Sequence, residues 1–154
     1  MGSVVEDAAS MSLKRDKIDN IFSLLVRERV DFTCEVSGRY YPPGLQRKGC
    51  HCSHLWGRRN TATRYHPDNA FCHSMSAHKR FSENPVEFRD WALEILGGEK
   101  YQIVKELAND GKLKFTRADK EELYQHLRKE YKRMEEQRMD GVVGRLEFTN
   151  IWFE

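Results

Sequence analysis

The sequence predicts an α+β protein in which a short, turn-rich β segment lies between an N-terminal helix and a run of C-terminal helices. Three observations predict it. Leu13 to Val30 carries apolar residues at helical spacing, residues 32–68 break into short pieces punctuated by Gly and Pro, and helical periodicity returns after Pro85.

Taken in order, Leu13, Ile18, Ile21, Phe22, Leu24, Leu25 and Val26 form an apolar set with charges between them, which reads as a packing helix. Ser37-Gly38, Pro42-Pro43-Gly44, Gly49, Gly57 and Pro67 then mark loops and short strands. Asn69 to about Phe81 reads as a short helix, with Asp68 or Asn69 as its cap and Ser82-Glu83-Asn84-Pro85 as the loop that ends it. Val86 to Leu96 follows, placing Phe88, Trp91, Ala92, Ile95 and Leu96 on one face between Pro85 and Gly97-Gly98. A further helix spans about Glu99 to Ala108. Thr116 and Asp119 form a capping box for a long helix reaching about Met139, striped by Leu123, Leu127, Tyr131 and Met134. The tail from Gly144 to Phe153 alternates apolar and polar residues, the pattern of one added strand. The expected organisation is a flexible segment over 1–12, a main domain over 13–110, and a helical arm with a terminal strand over 111–154.

The 154 residues carry a formal net charge of only +2, so the total does not point to a polyanion. The distribution does: between Arg39 and Arg80 eight positive residues face a single carboxylate, Asp68. In Arg117 to Arg138, by contrast, seven positive residues meet six negative ones, as on a solvated helical face. The N-terminus lacks the basic and apolar regions of a secretory signal, and no apolar run is long enough to span a bilayer, so a soluble, cytoplasmic protein without membrane association is expected. In that setting Cys34, Cys50, Cys52 and Cys72 are expected to be free thiols or metal ligands rather than disulfides, and spacing does not fix which.

The candidate chemistry rests on His54 after short extended segments, Asn69 fifteen residues later and His78 nine beyond that. A phosphodiester hydrolase needs a base to activate water, a cation to stabilise developing charge, and a group that holds the base in one tautomer. His54 at a strand end is the candidate base and His78 in a helix the candidate metal ligand. Asn69 is either a second ligand or the residue that fixes the hairpin. Arg58, Arg59 and Arg64 are candidate phosphate contacts, with Lys79 and Arg80 weaker ones. Six histidines in a chain of this length make a His, Asn, His order common by chance, so spacing alone does not assign the function.

Leu45-Gln46, Cys52-Ser53-His54-Leu55, Arg58-Arg59-Asn60, Ala62-Thr63-Arg64-Tyr65, Pro67-Asp68-Asn69, His78, Glu83-Asn84-Pro85, Phe88 and Trp91, within about Cys34 to Leu107, resemble the phage NinG/Rap-type recombination proteins and related HNH nucleases. The resemblance implies a small ββα-metal core flanked by the predicted helices. It implies a DNA endonuclease using Mg²⁺ or Mn²⁺ and acting on branched, Holliday-junction-like, or duplex DNA. It also implies His54 as base, Asn69 before the helix, and His78 as the final motif residue. Partners would be DNA and, on the same analogy, phage recombination or packaging proteins; symmetric cutting would call for a homodimer.

Two departures from that pattern stand in the sequence. Many HNH proteins hold a structural zinc between two C-x-x-C pairs, which fall here on Cys34/Ser37 and Ser74/Ala77; three ligands are missing, and a four-cysteine zinc is not expected. A rearranged site drawing on Cys34, Cys50 or Cys52, Cys72 and His51 or His73 stays open. Ser53 also stands where many relatives place a metal-binding Asp before the base, leaving the cation to waters and the scissile phosphate. The alternatives to an endonuclease are a non-catalytic, zinc-stabilised DNA-binding module and a recombination or packaging scaffold.

Overall fold

Residues 13–153 are described by the computed structural model, so the expected flexible segment 1–12 lies outside the described residues. The chain is mixed α and β. In order it forms α1 (Lys17–Arg29), the single turn α2 (Gln46–Gly49), β1 (His51–His54), a 3-10 turn (Pro67–Asn69), β2 (Ala70–His73), α3 (Met75–Glu83), α4 (Pro85–Leu96), α5 (Gly98–Ala108), α6 (Arg117–Met139) and a closing 3-10 turn (Ile151–Phe153).

Helix α1 starts at Lys17 because Asp16 and Asp19 cap each other. The Asp16 carboxylate accepts the Asp19 N–H at 2.7 Å, and Asp19 accepts the Asp16 N–H at 2.8 Å. Ile18, Phe22, Leu25 and Val26 then fall on one face and are buried against Leu123, Leu127 and Met134 of α6, with Tyr65 and Ala70 beside them. The capping box expected at Thr116 and Asp119 is present, with reciprocal bonds of 3.0 and 2.8 Å.

Two expectations for the C-terminal segment need correction. Among the described residues, 111–153 do not stand apart as an arm, because Leu123, Leu127, Met134, Leu146 and Phe148 complete the core that α1 begins. No terminal strand forms among the described residues either. The alternation is real, with Leu146, Phe148 and Asn150 buried between exposed Arg145, Glu147 and Thr149, but the segment lies along the helical core instead of a strand partner. Its backbone attaches where Leu146 N–H donates to Arg29 O at 2.9 Å, and the Asn150 amide donates to Tyr65 O at 2.7 Å.

The β1–β2 pair is antiparallel, with His51 opposite His73, Cys52 opposite Cys72, Ser53 opposite Phe71 and His54 opposite Ala70. Residues 70–73 are thus a strand, not the first turn of a helix. A four-residue buried run of this kind has no periodicity to distinguish the two states, and pairing with β1 decides it. The helix begins only at Met75, where Ser74 Oγ accepts the Ala77 N–H at 3.2 Å. Asn69 therefore precedes β2 and caps nothing.

Helix α4 buries Phe88 and Ala92 against Phe71 and Phe81, with Trp91 packed alongside, whereas Ile95 is 50% exposed and lies off that face. Within this cluster His73 is fully buried, and neither ring nitrogen has a hydrogen-bond partner. Its imidazole is ringed edge-on by Phe81, Phe88 and Trp91 at 4.9 to 5.6 Å between centroids. No described helix is long and apolar enough to cross a membrane.

Polar groups attach the 15-residue loop between the strands to α1. Arg64 Nε donates to Asp19 Oδ1 at 2.9 Å, its Nη2 also bonds the same carboxylate, and Arg58 reaches that carboxylate at 3.5 Å. Arg29, 1% exposed, donates to Pro67 O at 2.8 Å and Ala70 O at 2.7 Å. Asp19→Ala leaves the Arg64 guanidinium buried without its partner, and urea denaturation is expected to register a loss of about 3–5 kcal/mol.

His73 generates a pH prediction. Burial pushes it down to about 3 in the folded chain from an ordinary 6.5. Between those values the unfolded chain holds the proton and the folded chain does not. Its stabilising effect is therefore full above pH 6.5 and is lost as pH falls toward 3, at up to about 1.4 kcal/mol per pH unit. His73→Phe is expected to flatten the decline of the urea midpoint between pH 6 and pH 4; an unchanged slope would place the acid sensitivity elsewhere.

Candidate active site at the hairpin and helix junction

Pleating sends alternate residues of β1 to opposite sides. Ser53 turns toward α3, where its Oγ lies 2.7 Å from His78 Nδ1, and His51 stacks on the His78 ring at 5.4 Å and 13°. Cys52 packs instead against the core built on α1, and burial raises its thiol to about 11. His54, the last residue of the strand, lies 5.8 Å from the Phe22 ring between centroids. It nevertheless lines a cavity of about 200 Å³ together with Ser53, His78, Ser82 and Arg89. The structure thus brings two of the three motif residues, His54 and His78, to one cavity.

His54 is held in a single tautomer. Its Nε2 is 3.2 Å from Arg64 O, and because a carbonyl only accepts, the hydrogen sits on Nε2 and the lone pair on Nδ1. Burial pushes its pKa down to about 4, so the ring is neutral at pH 7 with its lone pair free, and it is a weaker base than an exposed imidazole. Burial and then the neighbouring His51 also lower the pKa of His78.

Asn69 does not join them. It is fully buried and spans the base of the long loop: Oδ1 accepts the Trp56 N–H at 2.8 Å, while Nδ2 donates to Trp56 O at 2.9 Å and Thr63 O at 3.0 Å. With both amide atoms committed to backbone, its expected role as a metal ligand is replaced by that of fixing the hairpin. The expected phosphate contacts are likewise revised. Arg64 is buried on Asp19, and Arg58 leans on the same carboxylate and on Leu13 O. Arg80 pairs with Glu87, while Arg59 and Lys79 are exposed.

The positions matching the two C-x-x-C pairs meet in space. Ser37 N–H points at Cys34 Sγ at 3.5 Å, and Ala77 packs in the same cluster as Cys34, Cys50 and Cys72. Burial raises the Cys34 thiol, but hydrogen bonds from Ser37 and Ser74 outweigh it and hold the pKa below the ordinary cysteine value. The neighbouring Cys50 thiol and burial raise the Cys72 thiol and keep it protonated, and Cys50 Sγ donates to Phe32 O at 3.3 Å.

A divalent ion at the cavity would meet the His78 imidazole, whose Nδ1 is already engaged by the Ser53 hydroxyl. Among the described residues no group of three or more His, Cys, Asp or Glu could hold a metal ion. A lone imidazole completed by waters and phosphate oxygens is a sparse donor set, poorer for Mg²⁺ than the one or two carboxylates it usually takes, and is not a closed protein cage.

In the sequence His51 stands out only as an alternative zinc ligand, and Arg15, Arg27 and Arg47 carry no candidate role. All four line an open groove of about 900 Å³ that His78 also borders. The His51, Ser53 alternation would have placed His51 with His78 once the limits of β1 were known; the arginines carry no comparable local signal. No family model, curated protein or solved structure matches the chain.

If Asn69 is a loop anchor, Asn69→Ala strands one N–H and two carbonyls in the interior. At about 1–3 kcal/mol per buried group left unpartnered, the stability loss should exceed about 2 kcal/mol. Thermal melts without added metal test this: an unchanged midpoint would remove the anchoring role.

Proposed function

We propose that this protein is a metal-dependent endonuclease that hydrolyses DNA phosphodiesters from a ββα-metal site. The observation that carries the reading is the meeting of His54 and His78 at one cavity, with His54 Nε2 committed to Arg64 O and Nδ1 left as the proton acceptor. The order strand, long loop, strand, helix and the convergence of Cys34, Ser37, Ser74 and Ala77 further support the HNH resemblance, since that alignment requires these four positions to be neighbours.

In this reading His54 Nδ1 takes the proton of the attacking water. His78 would hold a Mg²⁺ or Mn²⁺ ion through its other ring nitrogen, and the ion when bound would supply positive charge to the scissile phosphate. The Ser53–His78 contact fixes the His78 ring, and Asn69 keeps the loop carrying Arg64 O in register with His54. Low free-metal affinity follows from the absence of a carboxylate among the cavity-lining residues.

The test is cleavage of labelled linear, nicked and four-way-junction DNA by the wild type and His54→Ala, with Mg²⁺, Mn²⁺ or EDTA. Metal-dependent cutting should fall by on the order of 10²–10⁴-fold in His54→Ala and vanish in EDTA. Equal cutting by the variant removes His54 as base. Retained DNA binding with no cutting of any substrate favours the non-catalytic DNA-binding module instead.

A further inference from the structure

The groove of about 900 Å³ bounded by Arg15, Arg27, Arg47, His51, His78 and Tyr131 lies outside both the His54 cavity and the arginine loop expected to meet DNA. We infer that it binds the phosphodiester backbone of the nucleic-acid strand that continues from the catalytic cavity, with Arg15, Arg27 and Arg47 as phosphate contacts. This deepens the endonuclease reading and rests on it for the direction of the strand, though binding can be measured without cleavage.

Three observations carry the inference. The groove is lined by three arginines and two histidines, and no carboxylate is among its lining residues. Its arginines are not consumed internally. Arg15 donates to Asn20 and to Asp19 O, and Arg27 to Ser23 O, which are neutral acceptors. No ion pair involves any of the three among the described residues, in contrast to Arg58, Arg64 and Arg80, each of which has a carboxylate partner. A phosphate in the groove would therefore meet arginines that have no ion-pair partner among the described residues, in a concave site where such charge is less screened than on a flat surface.

The third observation is continuity. His78 borders both the groove and the His54 cavity, so the two share that side chain as a common wall. The stacked His51 and His78 rings and the Tyr131 ring line the same groove, giving flat surfaces beside the phosphate donors. Planar groups interleaved with arginines are the usual composition of a channel that follows a nucleic-acid strand without reading its sequence.

Binding of fluorescein-labelled single-stranded and duplex DNA, and of RNA of the same sequence, should be followed by anisotropy in EDTA across 50 to 300 mM salt. Arg15→Gln/Arg47→Gln, both exposed positions, is expected to weaken binding at least tenfold and to make the slope of log K against log salt shallower by about 2. Arg117→Gln, at an exposed position of α6, should leave both unchanged. Whichever nucleic acid binds more tightly identifies the source of the strand. Wild-type affinity and slope in the double variant, or no binding by the wild type, overturns the groove. Binding lost in the double variant while the wild type cuts no DNA upholds the groove and defeats the hydrolytic reading.

Discussion

The arrangement around the site depends on one buried ion pair, Asp19 with Arg64. Asp19 serves α1 twice, as the reciprocal partner in its capping box and as the acceptor that draws the β1–β2 loop onto the helix. Burial alone would raise this carboxyl, but the Arg64 hydrogen bond and the nearby arginines hold it below the ordinary aspartate value and keep it ionised. With the Arg64 side chain held in place, the Arg64 carbonyl is positioned to receive His54 Nε2. A residue whose charge first reads as a phosphate contact therefore acts through its backbone, setting the tautomer of the candidate base.

The hairpin itself is small, four residues on each strand, and cannot be stable alone. It is held from both sides. Phe22, Tyr65 and the α6 leucines cover one face, while Phe81, Phe88 and Trp91 pack on Phe71 and His73 of the other. Asn69 and Arg29 satisfy backbone carbonyls in the loop that no strand partner reaches. Beside the hairpin, Cys34, Ser37, Ser74 and Ala77 form a packed and hydrogen-bonded cluster that ties the residues before β1 to the start of α3.

Local patterns conveyed the helical part of the fold. The α1 face, the Thr116 capping box and the Pro85 to Gly97 limits of α4 are each encoded within a few residues, and the chain forms them where those signals lie. The β2 strand and the path of the tail were not legible. Ala70–His73 becomes a strand only by pairing with β1, and the Gly144 to Asn150 alternation describes burial without naming the surface that buries it. The candidate site divides the same way. His54 and His78 were readable by type and order, but the commitment of Arg64 to Asp19 and the charge left open at Arg15, Arg27 and Arg47 are properties of distant parts of the chain meeting. No local spacing encodes them.

The packing of α1 against α6 has a further consequence for how the molecule is made. Ile18, Phe22 and Val26 share a core with Leu123, Leu127, Met134 and Phe148, partners about a hundred or more residues away along the chain. Contacts so distant in sequence close late, because loop entropy opposes them until the intervening elements are formed. On a translating ribosome α1 must wait, unpaired along much of its apolar face, until α6 has emerged. The cavity that rests on α1 through Asp19 and Arg64 takes shape only then, so a nascent chain that stops short of α6 carries the motif residues without the assembled site.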